Sequence, residues 1–351
     1  QASSGTRFGR RRLEGRGGGS HPDSRESRPQ STAVAVLAAR VLPNGSGPRA
    51  VDCSTAISLV LIMLSVACRQ SAPVEPPVSA DAPRIGVMAP AAAELLVALG
   101  LVDRIVGIGD FVRDTRDLAR IARLGGYDAP SLERIVALRV SHLVTVESQA
   151  SARAHEQLGR LGVDVVALDT ASYEGLVVAT TRLGHLFGRE SEARALRQRI
   201  QDDMREIEAR VHDAERVTVL FVVGRKPLYV AGPGSFVDTM IRIAGGENVA
   251  ADAGSSYAML SLEAALARAP KVIIDISDNG PKALRGRALG HWREYPFVPA
   301  VRDERVYFVD PDVLGVPGPR LPAMTRLVGK MLHPELFGEP AAAELSPGSA
   351  P

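Results

Sequence analysis

Glu190–Ala214 reads ESEARALRQRIQDDMREIEARVHDA, a run dense in charge with no Gly and no Pro. Apolar residues recur sparsely in it, at Ala195, Leu196, Ile200, Met204, Ile207 and Val211. Spacings of three and four gather them into one narrow stripe on a long helix. A helix of about 25 residues extends about 37 Å at 1.5 Å per residue. A polar helix of that length with a single thin stripe can bridge two bodies, and the spacing predicts a connector.

Both flanks of this run alternate strands with helices. Before it, RIGVM (84–88), RIVGI (104–108), HLVTVE (142–147) and VDVVALD (163–169) read as strands. Between them lie AAAELLVALGL, closed by Gly100, SLERIVALR, with Ser131 as N-cap, and ARAHEQLGRLG, ending at Gly162. After it, VTVLFVVG, PLYVAGPGSF, KVIIDIS and RVYFVD read as strands. VDTMIRIAG closed by Gly245 and Gly246, LSLEAALARAP with Ser261 as N-cap, and LPAMTRLVGKML read as helices. Alternation of this kind suggests a mostly parallel sheet covered on both faces. The expected architecture is α/β, with two Rossmann-like lobes at about 82–170 and 216–338. A connector at 171–215 joins them through a single long backbone helix at 190–214, and a ligand cleft lies between the lobes. The lobes echo each other in one feature, since Ser131-Leu-Glu and Ser261-Leu-Glu each open a helix that runs into a strand.

The segments outside the lobes say where such a body works. Ala56–Ala67 is a run of twelve uncharged, mostly apolar residues that ends at Cys68. It is too short to span a bilayer, which takes about 20 apolar residues, and it fits the apolar core of a secretory signal at 51–67. A Cys directly after Ala67 suggests acylation of Cys68 and a lipid anchor. The usual signal has Leu three residues before the Cys; here that place holds Ser65 and Leu64 is one further back. Residues 68–81 are a Pro/Ala/Ser tether with no apolar periodicity, and 339–351 are expected to be a disordered tail. Residues 1–50, rich in Arg, Gly, Ser and Pro, have too little apolar surface to offset ordering entropy and are read as a long n-region or an over-extended start.

Charge and cysteine content exclude several function classes. The leader holds 9 Arg against 3 acidic residues, which leaves 33 basic and 37 acidic residues over 51–351. The basic balance therefore belongs to the leader, and the body offers no electrostatic case for nucleic acid. Both cysteines, Cys53 and Cys68, lie at the signal, so the body has no disulfide, thiolate metal site or Cys nucleophile. No G-x-G-x-x-G follows the first strand, and no P-loop, H-E-x-x-H or G-x-S-x-G occurs. The histidines are scattered without an i,i+4 pair, and nothing nominates a nucleophile with its base.

Four blocks carry a resemblance: RIGVMAPAAAELLVALGLVDRIVGI, RLGGYDAPSLERIVAL, PGSFVDTMIRIAGGENVAAD and RVYFVDPDVLGVPGPRLP. In this order, over nearly all of 84–338, they resemble the periplasmic receptors of metal-chelate ABC importers, which deliver vitamin B12, ferric siderophores or haem. The resemblance implies two α/β lobes on one long helix, little hinge motion, and no enzymatic activity. It implies a lipid-anchored periplasmic monomer with a permease and ATPase as partners. It implies no resident cofactor, the ligand being cobalamin or another metal chelate. It places Glu133 and Glu263 at the lobe tips that dock the permease, where charge steers and registers the encounter. The same residues are also favourable at helix N-termini. Matched by motif, Phe111, Tyr127 and Tyr257 are the aromatic cleft residues and Asp312 a polar one, flat rings suiting a flat macrocycle. Two cleft positions depart from the B12 receptors: Glu147 stands where they have an aromatic residue, and Val316 where they have a basic one. A ferric catecholate would want a cationic cluster, for which Arg113, Arg116, Arg225 and Lys226 are the candidates. Trp292 is read as packing in the second lobe, and Arg320 as anchoring the last helix. The reading from another class is a chelatase-like or nitrogenase-like enzyme on a two-lobe α/β scaffold.

Overall fold

The computed structural model describes residues 82–113, 117–126, 129–146, 152–277 and 290–346. In the first lobe β1 (Ile85–Val87), β2 (Ile105–Ile108), β3 (Ala122–Arg123), β4 (His142–Val146) and β5 (Asp164–Leu168) form one sheet in the order β3-β2-β1-β4-β5. Every pair in it is parallel. The order reverses between β1 and β4, which leaves a crevice at the carboxyl ends of these strands.

The second lobe repeats the plan. Its strands are β6 (Val217–Arg225), β7 (Leu228–Ala231), β8 (Gly246–Asn248), β9 (Tyr257–Met259), β10 (Val272–Asp275) and β11 (Val306–Phe308), ordered β11-β10-β6-β7-β9. β8 pairs with the start of β6 and β7 with its end, on the same edge. β7 is antiparallel to both β6 and β9, so β9 runs the same way as β6. Position for position, β9-β7-β6-β10-β11 stand where β3-β2-β1-β4-β5 stand in the first lobe. The expectation of mostly parallel sheets holds, with β7 as the antiparallel departure.

Helices α1 (Pro90–Ala98), α2 (Leu132–Ala137) and α3 (Ala152–Arg160) belong to the first lobe. The second lobe carries α6 (Phe236–Ile243), α7 (Leu262–Ala267), α8 (Pro299–Arg302), α9 (Pro311–Leu314), α10 (Leu321–Leu332) and α11 (Pro334–Phe337). Between the lobes lie α4 (Tyr173–Phe187) and α5 (Glu190–Arg210).

The connector differs from its sequence reading in three ways. The long helix ends at Arg210, not Ala214, because Val211 leaves helical geometry and the chain turns towards β6. Its buried stripe is Ala193, Leu196, Ile200, Met204 and Ile207; Ala195 is exposed and Ala193 takes its place. The stripe also has a partner the periodicity did not reveal, since α4 packs along α5. Ser172 opens α4 by accepting the Gly175 N–H at 2.9 Å, and Gly188 closes it in the left-handed region at φ 67°. The two helices approach closely at Gly184, where a Cβ would lie 2.5 Å from that of Ala193.

Burial shows what holds the lobes together. One cluster runs from Ile85 and Leu96 through Leu183, Leu196 and Ile200 to Met240, Phe221 and Met331. It fills the inner face of both sheets and is continuous through α4 and α5. Smaller clusters cover the outer faces, around Leu143 and Ile135 in the first lobe and around Ile273 and Trp292 in the second. Trp292 is wholly buried, as expected, and donates its indole N–H to Asp275 Oδ2 at 2.9 Å. Two further readings change. Gly246 is the first residue of β8 rather than a second helix stop. The tail expected to lack order forms a 3-10 turn over Ala342–Leu345, tied down by Lys330 on Glu344 at 2.7 Å.

Candidate functional site

The carboxyl ends of β4 and β5, at Val146 and Leu168, open towards the junction of the lobes. A cavity of about 250 Å³ lies there. The first lobe and connector contribute Val146, Leu168, Asp169, Thr170 and Ala171; the second contributes Phe236, Tyr257, Gly315 and Pro317. The Phe236 N–H donates to the Ala171 carbonyl at 2.9 Å, so the floor is pinned by a backbone bond between connector and second lobe. Ser235 sets this by capping α6: its Oγ accepts the Asp238 N–H at 3.0 Å and donates to the Gly232 carbonyl at 2.8 Å.

Of the expected ligand residues, Tyr257 lines the cavity. Tyr257 is 40% exposed, and its partial burial pushes its pKa up to about 12. It is therefore a neutral phenol at any physiological pH, suited to stacking and to donating a hydrogen bond. Phe111 follows β2 and is 61% exposed; it stands at the rim of the first lobe, not on the cavity wall. Asp312 sits in the first turn of α9 and pairs with Arg113 of the first lobe at 3.4 Å. Tyr127, Glu147, Arg116 and Cys68 lie outside the described residues. Arg225 lies 3.8 Å from the buried Asp275, and neither it nor Lys226 is among the residues that line the cavity.

Two residues that sequence reading passed over extend the Tyr257 face. Tyr229 lies directly across from Met259, and Tyr257 across from Ala231, so Tyr229, Met259 and Tyr257 share one side of the β7–β9 pair. All three are exposed, Met259 at 63%. The signal was present in PLYVA, where period-2 alternation buries Leu228 and Val230 and turns Tyr229 to the other face.

The lobes are clasped beside the cavity by a crossed pair of ion pairs. Glu94 of α1 takes Arg320 in a forked contact, at 2.7 Å to Nη2 and 3.1 Å to Nε. Arg320 Nη2 also donates to the Asp312 carbonyl at 3.2 Å. Arg320 does stand at the start of α10, but its guanidinium reaches across to the first lobe, which its position in the chain could not show.

Glu133 and Glu263 occupy matching places. Each is the second residue of a short helix capped by its serine, Ser131 accepting from Arg134 N–H at 3.4 Å and Ser261 from Ala264 N–H at 3.1 Å. Each helix follows an edge strand, β3 or β9, whose carboxyl end points towards the cleft. Both carboxylates are exposed on the outer rim at that end, and neither has an ion-pair partner among the described residues.

The periplasmic binding protein family model matches residues 85–313, both sheets included. The chain belongs to the periplasmic binding protein family. An ABC transporter substrate-binding lipoprotein of Bacillus subtilis, YvrC, is 26% identical over 263 residues, covering 73% of this chain and 82% of that protein. The vitamin B12-binding protein of Salmonella choleraesuis is 27% identical over 222 residues, covering 63% and 83%. Among solved structures, a periplasmic haem-binding protein of Pseudomonas aeruginosa is similar at TM-score 0.63 and 28% identity, over 75% of this chain and 96% of that one. The relatives are thus binding proteins, of ABC transporters, vitamin B12 and haem.

Proposed function

We propose that this protein is the extracytoplasmic receptor of an ABC importer, capturing a corrinoid between its lobes and handing it to the permease. The observation that carries this reading is the face made by Tyr257, Tyr229 and Met259, exposed on one side of the β7–β9 pair and reaching the cavity at Tyr257. Flat apolar faces on a wet rim suit a planar macrocycle with polar edges. The Bacillus relative is named a lipoprotein, which supports acylation at Cys68 and a membrane tether. Glu133 and Glu263 are the docking contacts, one per lobe at equivalent rims.

A haem is the second ligand to consider, because the Pseudomonas haem-binding protein shares 28% identity. The test is calorimetric titration of the purified protein with cyanocobalamin and with haemin. Saturable, equimolar heat with cyanocobalamin is expected. A flat titration with cyanocobalamin beside saturation by haemin would move the assignment to haem, and two flat titrations would remove both.

A further inference from the structure

The chain has seven methionines, and burial divides them. Met88, Met204, Met240, Met324 and Met331 are each at most 3% exposed, whereas Met259 is 63% exposed. Met63 lies in the signal segment, as do both cysteines, Cys53 and Cys68, and all three fall outside the described residues. Among the described residues, then, Met259 holds the one sulfur that a dissolved oxidant can reach. The folded body has no thiol to compete for that oxidant, and the buried thioethers are shielded by their packing.

The place of Met259 gives its exposure a consequence. It ends the edge strand β9 and stands directly across from Tyr229 of β7. Side chains paired in this way have Cβ atoms about 4.5–5.5 Å apart. Two residues back on the same face is Tyr257, which lines the cavity. The thioether is soft and apolar and suits contact with flat π-faces. A sulfoxide in its place is polar and chiral, and its oxygen must be stripped of water before an apolar surface can lie against it.

We propose that Met259 is an oxidation site, and that its sulfoxide weakens the receptor's hold on its ligand when peroxide is present. The sulfur lone pair attacks one oxygen of the peroxide. The S–O bond forms as the O–O bond breaks, and sulfur gives up two electrons. The proton on the transferred oxygen passes to the leaving oxygen, so hydrogen peroxide ends as water. A dithiol-dependent sulfoxide reductase reverses the step, the sulfoxide oxygen leaving as water while the dithiol becomes a disulfide. Oxidation itself needs no ligand; its effect on binding rests on the cleft being the chelate site.

The experiment treats the purified protein with graded hydrogen peroxide, removes the peroxide, and reads each methionine peptide by mass spectrometry. Met259 is expected to gain one oxygen at doses that leave the five buried methionines unchanged. Protein oxidised to that point is titrated calorimetrically with cyanocobalamin and with haemin. The probe that saturates untreated protein should bind about tenfold more weakly after oxidation, as loss of one apolar side-chain contact permits. A methionine sulfoxide reductase with dithiothreitol should restore the affinity. M259L is compared only with itself before and after peroxide, and no change is expected; M259Q, polar and of similar length, should bind more weakly than M259L. Thermal melts confirm folding of each variant. Oxidation of a buried methionine ahead of Met259 overturns the site. Equal affinity before and after oxidation in the native protein, or a loss in M259L as large as the native one, overturns the effect on binding. Failure of untreated protein to bind either probe removes the chelate reading and the binding effect with it, while the peptide map still decides the oxidation site.

Discussion

Replacing Ile200 by Ala tests whether the lobes are one folding unit. Ile200 lies midway in the buried stripe of α5, 4% exposed, within the cluster that joins Leu96 and Leu183 to Met240 and Met331. Truncating a buried Ile leaves a cavity and costs about 2–5 kcal/mol; with α4 and α10 packed along α5, about 3 kcal/mol is expected. At a urea slope of about 3 kcal/mol/M for a chain of this size, the midpoint falls by about 1 M. Two probes make the result decisive. Trp292 is the only tryptophan and sits in the outer layer of the second lobe, away from α5, so its emission reports that lobe. Far-ultraviolet circular dichroism reports both lobes. If the inner cluster couples them, the two probes share one midpoint in the native protein and shift together in I200A. Separate midpoints, or a dichroism shift that the Trp292 signal does not follow, would refute a continuous core.

Other changes test single contacts. Gly184→Val drives a side chain into Ala193, where even a Cβ would sit 2.5 Å from its neighbour, and should cost about 1–3 kcal/mol in the same urea assay. Glu94→Gln and Arg320→Met each strand a partly buried partner of the forked pair and should each cost about 1–3 kcal/mol; the double variant should cost less than the sum, and strict additivity would deny the contact. Tyr257 has its pKa raised by burial to about 12, against about 10 in an unfolded chain. The unfolded state therefore loses that proton first, and the stability it supplies, full below pH 10, is lost as pH rises towards 12. Phenolate absorbance in the native protein should lose its latest-titrating tyrosine in Y257F, while Tyr173 and Tyr307, also raised by burial, remain. Charge reversal at Glu133 and Glu263 together should abolish uptake in cells while calorimetric ligand binding persists, and loss of binding would remove the docking assignment.

How much of this was legible depended on whether the information was local. The α5 stripe was readable because Leu196, Ile200, Met204 and Ile207 repeat at helical spacing on an otherwise charged surface. The serine caps of α2 and α7 were readable because Ser-Leu-Glu is a local hydrogen-bonding unit. The helix α4 was passed over although Ser172 and Gly188 bracket it, because Leu176, Val177, Ala179, Leu183 and Leu186 spread apolar residues over more than one face. The three-residue strands β8 and β9 are too short to show alternation. In the site, Tyr257 was found by motif, but Glu94 and Arg320 are 226 residues apart, and no spacing rule links such a pair. Tyr229 was hidden inside a segment read only as a strand, although the alternation around it pointed outward.

On the proposed function, the duplication of plan explains why the docking and ligand faces coincide. An edge strand in each lobe delivers a capped helix to the carboxyl-end rim, so one Glu appears per lobe without any contact between them. The cleft opens at the same end, since it is there that the strand order reverses. A permease that engages both carboxylates must therefore sit across the mouth of the cleft. The continuous inner core and the Glu94–Arg320 clasp then limit how far the lobes can part. Under that proposal, release of a bound guest requires either local displacement at the rim or a force that breaks the clasp. A receptor with only the weak Arg113–Asp312 contact spanning its lobes would open more freely, and its carboxylates would no longer keep a fixed separation for the permease to read.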